Sequence, residues 1–320
     1  MKNIVLLSYG EQVEHQRAVY SILSILAWKG ETVENVRIIC YTDNAEYFQR
    51  YLQGSAVHYA PLTAEFMQRM LAGTGYAKRR KICILQDVYS SYPHDDIVFL
   101  DSDTFFFNDV TTFLDQLQPG NSIMYAREFR VENATRKYRE IMSRRLPNAE
   151  KFPKTFMKLI ENNEFDIGGR KVTFNILQYV WNSGVLGINK SLLPILSDVI
   201  YFNDRIFSET KCLISEQLSL SLILQSFSQI KPAVDFIKHY YQSKEIVDFF
   251  INRILNDAYL DLNTVERLEK IKASSLTLSK LVTLDIYVLM SGGAFKRRRY
   301  RRGFKFAFRA IRNIPASSWT

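Results

Sequence analysis

The stretch Ile97-Val98-Phe99-Leu100-Asp101-Ser102-Asp103-Thr104 decides how the rest of the chain is read. Four consecutive large apolar residues followed at once by two carboxylates predict a strand buried on both faces that stops at a polar turn. Such strands belong to parallel sheets covered by helices, and the flanking sequence supplies the alternation. Residues 4–9 form an apolar, branched run that turns at Gly10 into a helical pattern through Val13, Val19, Ile22, Leu23, Ile25 and Leu26. A second β-rich run, 36–41, ends at Thr42-Asp43; 45–52 suits a helix and 57–60 a third strand. Lys78-Arg79-Arg80-Lys81 then opens a helix with Ile82, Leu85, Val88 and Tyr89 as its apolar positions, and Pro93 stops it. Beyond the quoted stretch the pattern gives a helix over 109–117, a strand over 122–126, and helices over 192–207 and 216–225. The predicted class is α/β, with a parallel sheet covered by helices on both faces. In such sheets ligands sit beyond the carboxyl ends of the strands. Ser8-Tyr9-Gly10, Thr42-Asp43 and Asp101-Ser102-Asp103 all fall at such ends.

The chain has 320 residues, 47% hydrophobic and 23% charged, which is globular composition. A chain near this length buries roughly 75% of its unfolded surface and needs no disulfide or structural metal. Cys40, Cys83 and Cys212 are far apart, without the close pairing of a zinc or redox motif. The N-terminal run is too short for a signal peptide or a membrane span, and no other run reads as continuously apolar over a membrane thickness. A cytoplasmic protein with reduced thiols is expected. The net charge of +9 is local: residues 296–320 hold nine of the 42 basic residues and no acid, leaving 33 basic against 33 acidic elsewhere. On a helical wheel Tyr300, Phe304, Ala307, Phe308, Ile311 and Ile314 share one face of this tail, and Arg301, Lys305, Arg309 and Arg312 another. A basic amphipathic helix predicts peripheral contact with an anionic membrane surface, at the inner face for a cytoplasmic protein. Nucleic-acid binding is the weaker competing reading. A merely solubilising tail would not need six apolar residues in phase.

Two carboxylates spaced i, i+2 at the mouth of a buried strand repel each other unless a cation compensates them. Hard oxygen ligands suit Mg²⁺ or Mn²⁺, which complete their shells with waters and substrate phosphates. A diphosphate is then the natural second partner, because the cation offsets charge on a departing nucleoside diphosphate. Taken alone, the pair serves equally well as a turn cap. The same residues also match the DxDxT motif of haloacid-dehalogenase-type phosphatases, where the first Asp is a nucleophile. That motif usually lies on a first strand and needs a later acidic pair after another strand. Here about a hundred residues precede it, and the best later candidates, Asp257 and Asp261, lie in a helical pattern.

The strand ending in Asp101-Ser102-Asp103 resembles the DxD strand of GT-A glycosyltransferases, especially the retaining group of glycogenin and bacterial lipopolysaccharide galactosyltransferases. The N-terminal strand, Tyr9 turn and helix with Ser21-Ile22-Leu23 look like that family's nucleotide-binding entrance. Trp181-Asn182-Ser183-Gly184-Val185 is similar to its Asn-(Ala/Ser)-Gly segment, and Glu216-Gln217 stands where it usually has Asp-Gln. His239-Tyr240-Tyr241-Gln242-Ser243-Lys244 resembles its His, Gly and Lys segment, with the Gly missing and the spacing one residue shorter. The resemblance covers residues 1–245, motif by motif, and implies an α/β fold of the GT-A kind, a Rossmann-like, mixed, mainly parallel sheet flanked by helices.

It implies a metal-dependent transferase of polysaccharide or lipopolysaccharide biosynthesis, moving sugar from a nucleotide-sugar donor, a UDP-sugar, to a saccharide or lipid-linked acceptor. Asp101, Asp103 and His239 would bind Mn²⁺ or Mg²⁺. Asn182 and Glu216 would bind hydroxyls of the transferred sugar, with Gln217 near its anomeric carbon. Ser8, Tyr9, Gly10 and Asp43 would meet the nucleotide, Tyr9 by stacking. Ser102, Ser183, Gly184 and Lys244 would line the donor, together with one residue of Lys78 to Lys81, with Lys81 the choice. Read without the resemblance, Asn182-Ser183-Gly184 is a turn, His239 a surface histidine, and Glu216 a residue favouring a helix N-terminus. The organisation that follows is a catalytic domain over 1–245 with a helical insertion at 129–175 on the acceptor side, a helical subdomain at 246–292, and the tail at 293–320. A non-catalytic membrane- or nucleic-acid-binding protein on a degenerate transferase fold is the alternative.

Overall fold

The computed structural model describes residues 1–29, 35–134, 151–161, 163–296 and 298–312. The first half alternates strand and helix: β1 (Lys2–Ser8), α1 (Gln12–Trp28), β2 (Val36–Thr42), α2 (Ala45–Tyr51), β3 (Val57–Pro61), α3 (Ala64–Arg69), α4 (Arg79–Ser91) and β4 (Asp96–Leu100). There follow β5 (Thr104–Phe106), α5 (Val110–Leu114), β6 (Asn121–Met124), β7 (Arg127–Arg130), α6 (Lys151–Glu161), β8 (Phe165–Ile167), β9 (Arg170–Val172), β10 (Tyr179–Trp181) and β11 (Val185–Ile188). The last third holds α7 (Leu196–Thr210), α8 (Ser215–Phe227), β12 (Gln229–Pro232), β13 (Ile237–His239), α9 (Lys244–Ile254), α10 (Asp257–Leu260), α11 (Thr264–Lys296) and α12 (Tyr300–Arg312).

Seven strands form the central sheet in the order β12-β6-β11-β4-β1-β2-β3. All neighbours are parallel except β11, which runs antiparallel between β4 and β6. This is the mixed, mainly parallel α/β sheet expected. The apolar run on β4 explains itself by alternation: Ile97 and Phe99 join one core, with Val5 of β1, while Val98 and Leu100 join the other, with Ile4 and Leu6. All are buried, and full burial of side chains this size is worth about 1.5–3 kcal/mol each.

Two expectations need correction. The stretch 129–175 does not read as helix throughout: β7 opens it, the β8–β9 hairpin lies near its end, and α6 lies between. β7 pairs with β10, and Gly168 and Gly169 at positive φ make the hairpin turn. Three-residue strands are too short to show period-two patterning. The part of the insertion at 135–150 lies outside the described residues. A membrane-length apolar segment is also present after all: α11 is long and apolar enough to cross a membrane by length and composition. Lys280 and Asp285 interrupt it, so the sequence does not read as one continuous run. In the fold Ile271, Ser275, Leu278 and Val282 are buried, and α11 lies along α1, where Ser274 and Ser275 hydrogen-bond Tyr20 Oη and Trp28 Nε1 at 2.9 Å each.

The tail packs through a different face from the apolar one read on the wheel. The chain turns at Arg298, with φ of +56°, and α12 packs back on α11. Gly303 lies against Phe295, Ser291 Oγ donates to Gly303 O at 3.0 Å, and Phe306 stacks with Tyr287. The docked face is Gly303, Phe306 and Ala310. The apolar face of the wheel, Tyr300, Phe304, Phe308 and Ile311, stays exposed by 58% or more. Ile314 lies outside the described residues.

Candidate active site

Three connections bring distant sequence to the end of β4. The register of β11 puts Val185 opposite Leu100, so Gly184, one residue earlier, meets the turn, and Asp101 N donates to Gly184 O at 2.9 Å. The short β13 pairs with β5, His239 opposite Thr104, and Tyr240 N donates to Asp103 O at 3.0 Å. Lys244 starts α9 just beyond and reaches Asp103 Oδ2 at 3.0 Å.

The result is a cluster of two carboxylates and one imidazole. His239 Nε2 lies 3.2 Å from Asp103 Oδ1 and 3.9 Å from Asp101 Oδ2, and one ligand atom from each residue lies within 4.8 Å of the others. Asp103 and His239 are buried and Asp101 partly exposed. Burial works to raise the Asp103 carboxyl, but His239 and Lys244 together hold it well below the usual carboxylate range.

The donor set fits a divalent cation, and the neighbours fix the histidine for it. Asn182 Oδ1 accepts from Gly184 N at 2.9 Å, so this end of the amide is the oxygen. The same oxygen lies 2.8 Å from His239 Nδ1, so Nδ1 carries a proton. In neutral imidazole the other nitrogen, Nε2, then presents its lone pair to Asp101 and Asp103, where only a proton or a cation can bridge it to carboxylate. Gly184 is required for this packing: a Cβ there would lie 2.2 Å from the imidazole.

Beside the cluster lies a buried charge network. Lys81, on α4, ion-pairs with Asp101 Oδ1 at 2.9 Å and Glu216 Oε1 at 3.4 Å and donates to Ser183 O at 2.9 Å. Burial works to lower its ammonium, but the two carboxylates outweigh it and the net direction is up. Glu216 is 1% exposed. Its Oε2 accepts from Ser183 Oγ, while Oε1 has the long ion pair and no hydrogen bond. The four basic residues at the start of α4, with Lys78 just before it, separate cleanly. Arg79 pairs with Asp204, Arg80 donates to Tyr9 Oη at 2.9 Å, Lys78 is exposed, and Lys81 is the buried one.

All of this lines a cleft of about 840 Å³, within the range of small-molecule sites. Ser8, Tyr9, Lys81, Ser102 and Asp103 form part of its wall; Asn182, Glu216, Gln217, His239 and Lys244 form another. Asp101, Ser183 and Gly184 also line it. Gly10 and Asp43 do not; Asp43 instead accepts from Gly10 N at 2.9 Å and pairs with His15 Nε2 at 3.3 Å, behind the Tyr9 turn. His15 Nδ1 meets Ser8 Oγ at 3.0 Å.

Of the polar lining residues, sequence reasoning did not single out Glu14, Glu128, Tyr241 or Gln242, and of the basic run Lys78 lines the cleft as well as Lys81. Glu14, in the first turn of α1, accepts from Ser102 Oγ at 2.6 Å and pairs with Arg17. Tyr241 lies beside His239, ring centroids 4.9 Å apart. Tyr241 sits inside the His239 to Lys244 segment and could have been singled out there. Glu14 and Glu128 are single carboxylates with no local pattern.

No protein-family model matches the chain, and no curated protein matches it by sequence. Among solved structures, mouse xyloside xylosyltransferase 1 in its apo form aligns at 12% identity, over 72% of this chain and 85% of that one, with a TM-score of 0.45. The galactosyltransferase LgtC in complex with donor and acceptor sugar analogues aligns at 14% identity over 72% and 73%, also at 0.45. The bifunctional glycosyltransferase WbbM, of which 38% is covered, gives 11% identity and 0.43. Scores and identities this low carry nothing about substrate or residue roles, which stand on the chemistry of the site.

Proposed function

We propose that this chain is a glycosyltransferase. It moves a sugar from a nucleotide-sugar donor, a UDP-sugar, to a saccharide or lipid-linked acceptor, with retention at the anomeric carbon. The observation that carries the reading is the convergence, from separate strands, of Asp101, Asp103 and His239 on one wall of a cleft that also holds the buried Glu216. Mn²⁺ or Mg²⁺ held by these three residues supplies charge compensation for a leaving diphosphate. Lys244 lies where it meets the same phosphates. Ser8 and Tyr9 take the nucleoside, with Gly10 and Asp43 acting indirectly by shaping that turn. Asn182 and Glu216 bind and orient hydroxyls of the transferred sugar, Ser183 and Gly184 shape the wall beneath it, and Gln217 faces the reacting carbon. Lys81 holds Asp101 and Glu216 in place and keeps water from their inner sides.

The two alternatives lack comparable support. A phosphatase would need Asp257 or Asp261 beside Asp101, yet Asp257 is exposed on α10, paired with Arg50, and neither lines the cleft. A purely non-catalytic protein gives no reason for Asp101, Asp103 and His239 to converge in the cleft beside the Lys81–Glu216 ion pair. We further place the site beside an anionic membrane, at the inner face, on the support of the exposed Tyr300, Phe304, Phe308 and Ile311 flanked by arginines on α12.

A panel of UDP- and GDP-sugars, assayed for hydrolysis and transfer with and without Mn²⁺, tests the reading. We expect metal-dependent turnover of one UDP-sugar. Absence of binding by any donor with metal present, together with no effect of Asp103→Ala, would refute it.

A further inference from the structure

Glu128 lies on β7, half-buried, and its carboxylate is shared between two amides. Asn182 Nδ2 donates to Oε1 at 3.0 Å and Gln217 Nε2 donates to Oε2 at 2.9 Å. A carboxylate at neutral pH only accepts hydrogen bonds, so whichever end of each amide faces it must be the NH₂. Both amides are thereby fixed. Asn182 must turn its oxygen toward Gly184 N and His239 Nδ1, as observed, and Gln217 is left with its amide oxygen as the group it can offer the cleft.

We propose that Glu128 is the positioning residue of this site, setting which end of Asn182 and of Gln217 is presented and, through Asn182, the imidazole tautomer that leaves His239 Nε2 free. The inference rests on the proposed metal-dependent transfer but does not need turnover to be tested. Nothing in the sequence marks Glu128; it follows from the bridge alone. A glutamine there offers one oxygen and one NH₂, so an NH₂ would oppose one of the two amides and turn it.

The test uses the full chain and Mn²⁺ alone. There are only four histidines, so His239 can be assigned in ¹⁵N spectra of the metal-free protein by comparison with His239→Gln. In the wild type its Nδ1 is predicted to be the protonated nitrogen in the neutral form. Glu128→Gln should replace that signature with a mixture of tautomers and weaken Mn²⁺ binding, followed by electron paramagnetic resonance, about tenfold or more, as loss of an outer-shell partner typically does. Glu128→Asp, which keeps two accepting oxygens, should recover part of both. A folded Glu128→Gln protein with wild-type tautomer and wild-type Mn²⁺ affinity would overturn the proposal. If it does not fold, Glu128→Asp decides: wild-type affinity and tautomer would support the proposal, and loss of both as complete as in Asn182→Ala would overturn it. Asp103→Ala separates the two levels. If it loses Mn²⁺ while Glu128→Gln does not, only the role of Glu128 falls; if it binds Mn²⁺ like the wild type, the metal site itself is misassigned and the role falls with it.

Discussion

At the residue scale the site depends on a few side chains whose space or charge is fully committed. Gly184 has no room for a methyl group, because the His239 ring occupies that position. Gly184→Ala is expected to push the imidazole off Asp101 and Asp103 and to weaken Mn²⁺ binding at least about tenfold, by titration calorimetry, in a protein that still folds. Lys81 is buried between Asp101 and Glu216. Lys81→Met strands two carboxylates and should lower unfolding stability by about 3–5 kcal/mol in urea melts. Added Mn²⁺ should restore part of that loss. His15 gives a pH signature. Burial, opposed by Asp43 and Glu14, depresses its folded value below 6.5. The folded state therefore keeps the imidazole neutral while the unfolded chain takes up a proton. Stability from this group is complete above pH 6.5 and falls as the pH drops toward the lower folded value. Thermal melts between pH 7 and 5 should show a steeper decline for the wild type than for His15→Gln.

At the element scale the tail makes the sharpest claim. In α12 the docked positions are Gly303, Phe306 and Ala310; Phe304, though exposed, meets Phe295 of α11 edge-on at 5.1 Å, so the helical content of the paired variant is checked by circular dichroism before its binding is read. Phe304→Ser with Phe308→Ser should reduce co-sedimentation with phosphatidylserine-containing vesicles about tenfold or more, since each ring contributes burial worth about 1.5–3 kcal/mol; unchanged binding would dismiss this face as the membrane contact. The same helix shows what a sequence can and cannot say. Periodicity identified the apolar stripe, but only packing against Tyr287 and Phe295 reveals that a second stripe, Gly303, Phe306 and Ala310, is the docked one. β4 was legible because four apolar residues in a row admit few other readings. β5 and β13 were not: they are three residues each, and their pairing, which carries His239 to Asp103, is a contact between positions far apart in sequence. β7 and the β8–β9 hairpin were hidden for the same reason within a stretch dominated by charge.

For the whole molecule, the central sheet reverses direction once, at β11, and the Asn182-Ser183-Gly184 turn enters that strand beside the end of β4. The sheet thus gathers β1, β4, β11 and the β5–β13 pair around one cleft. The motifs in their order along the chain were readable from the sequence; that Asn182, Lys81 and Glu128 would form one hydrogen-bonded frame around them was not, because each partner is a single residue on a different element. The central claim is that a divalent cation on Asp101, Asp103 and His239 joins a donor diphosphate to this frame. Its most direct measurement is calorimetric titration of a UDP-sugar panel into the full chain with Mn²⁺, with chelator, and with Asp103→Ala. The account predicts binding of at least one donor with Mn²⁺, and a loss of about a hundredfold or more both in chelator and in the variant. Equal affinity under all three conditions would contradict it.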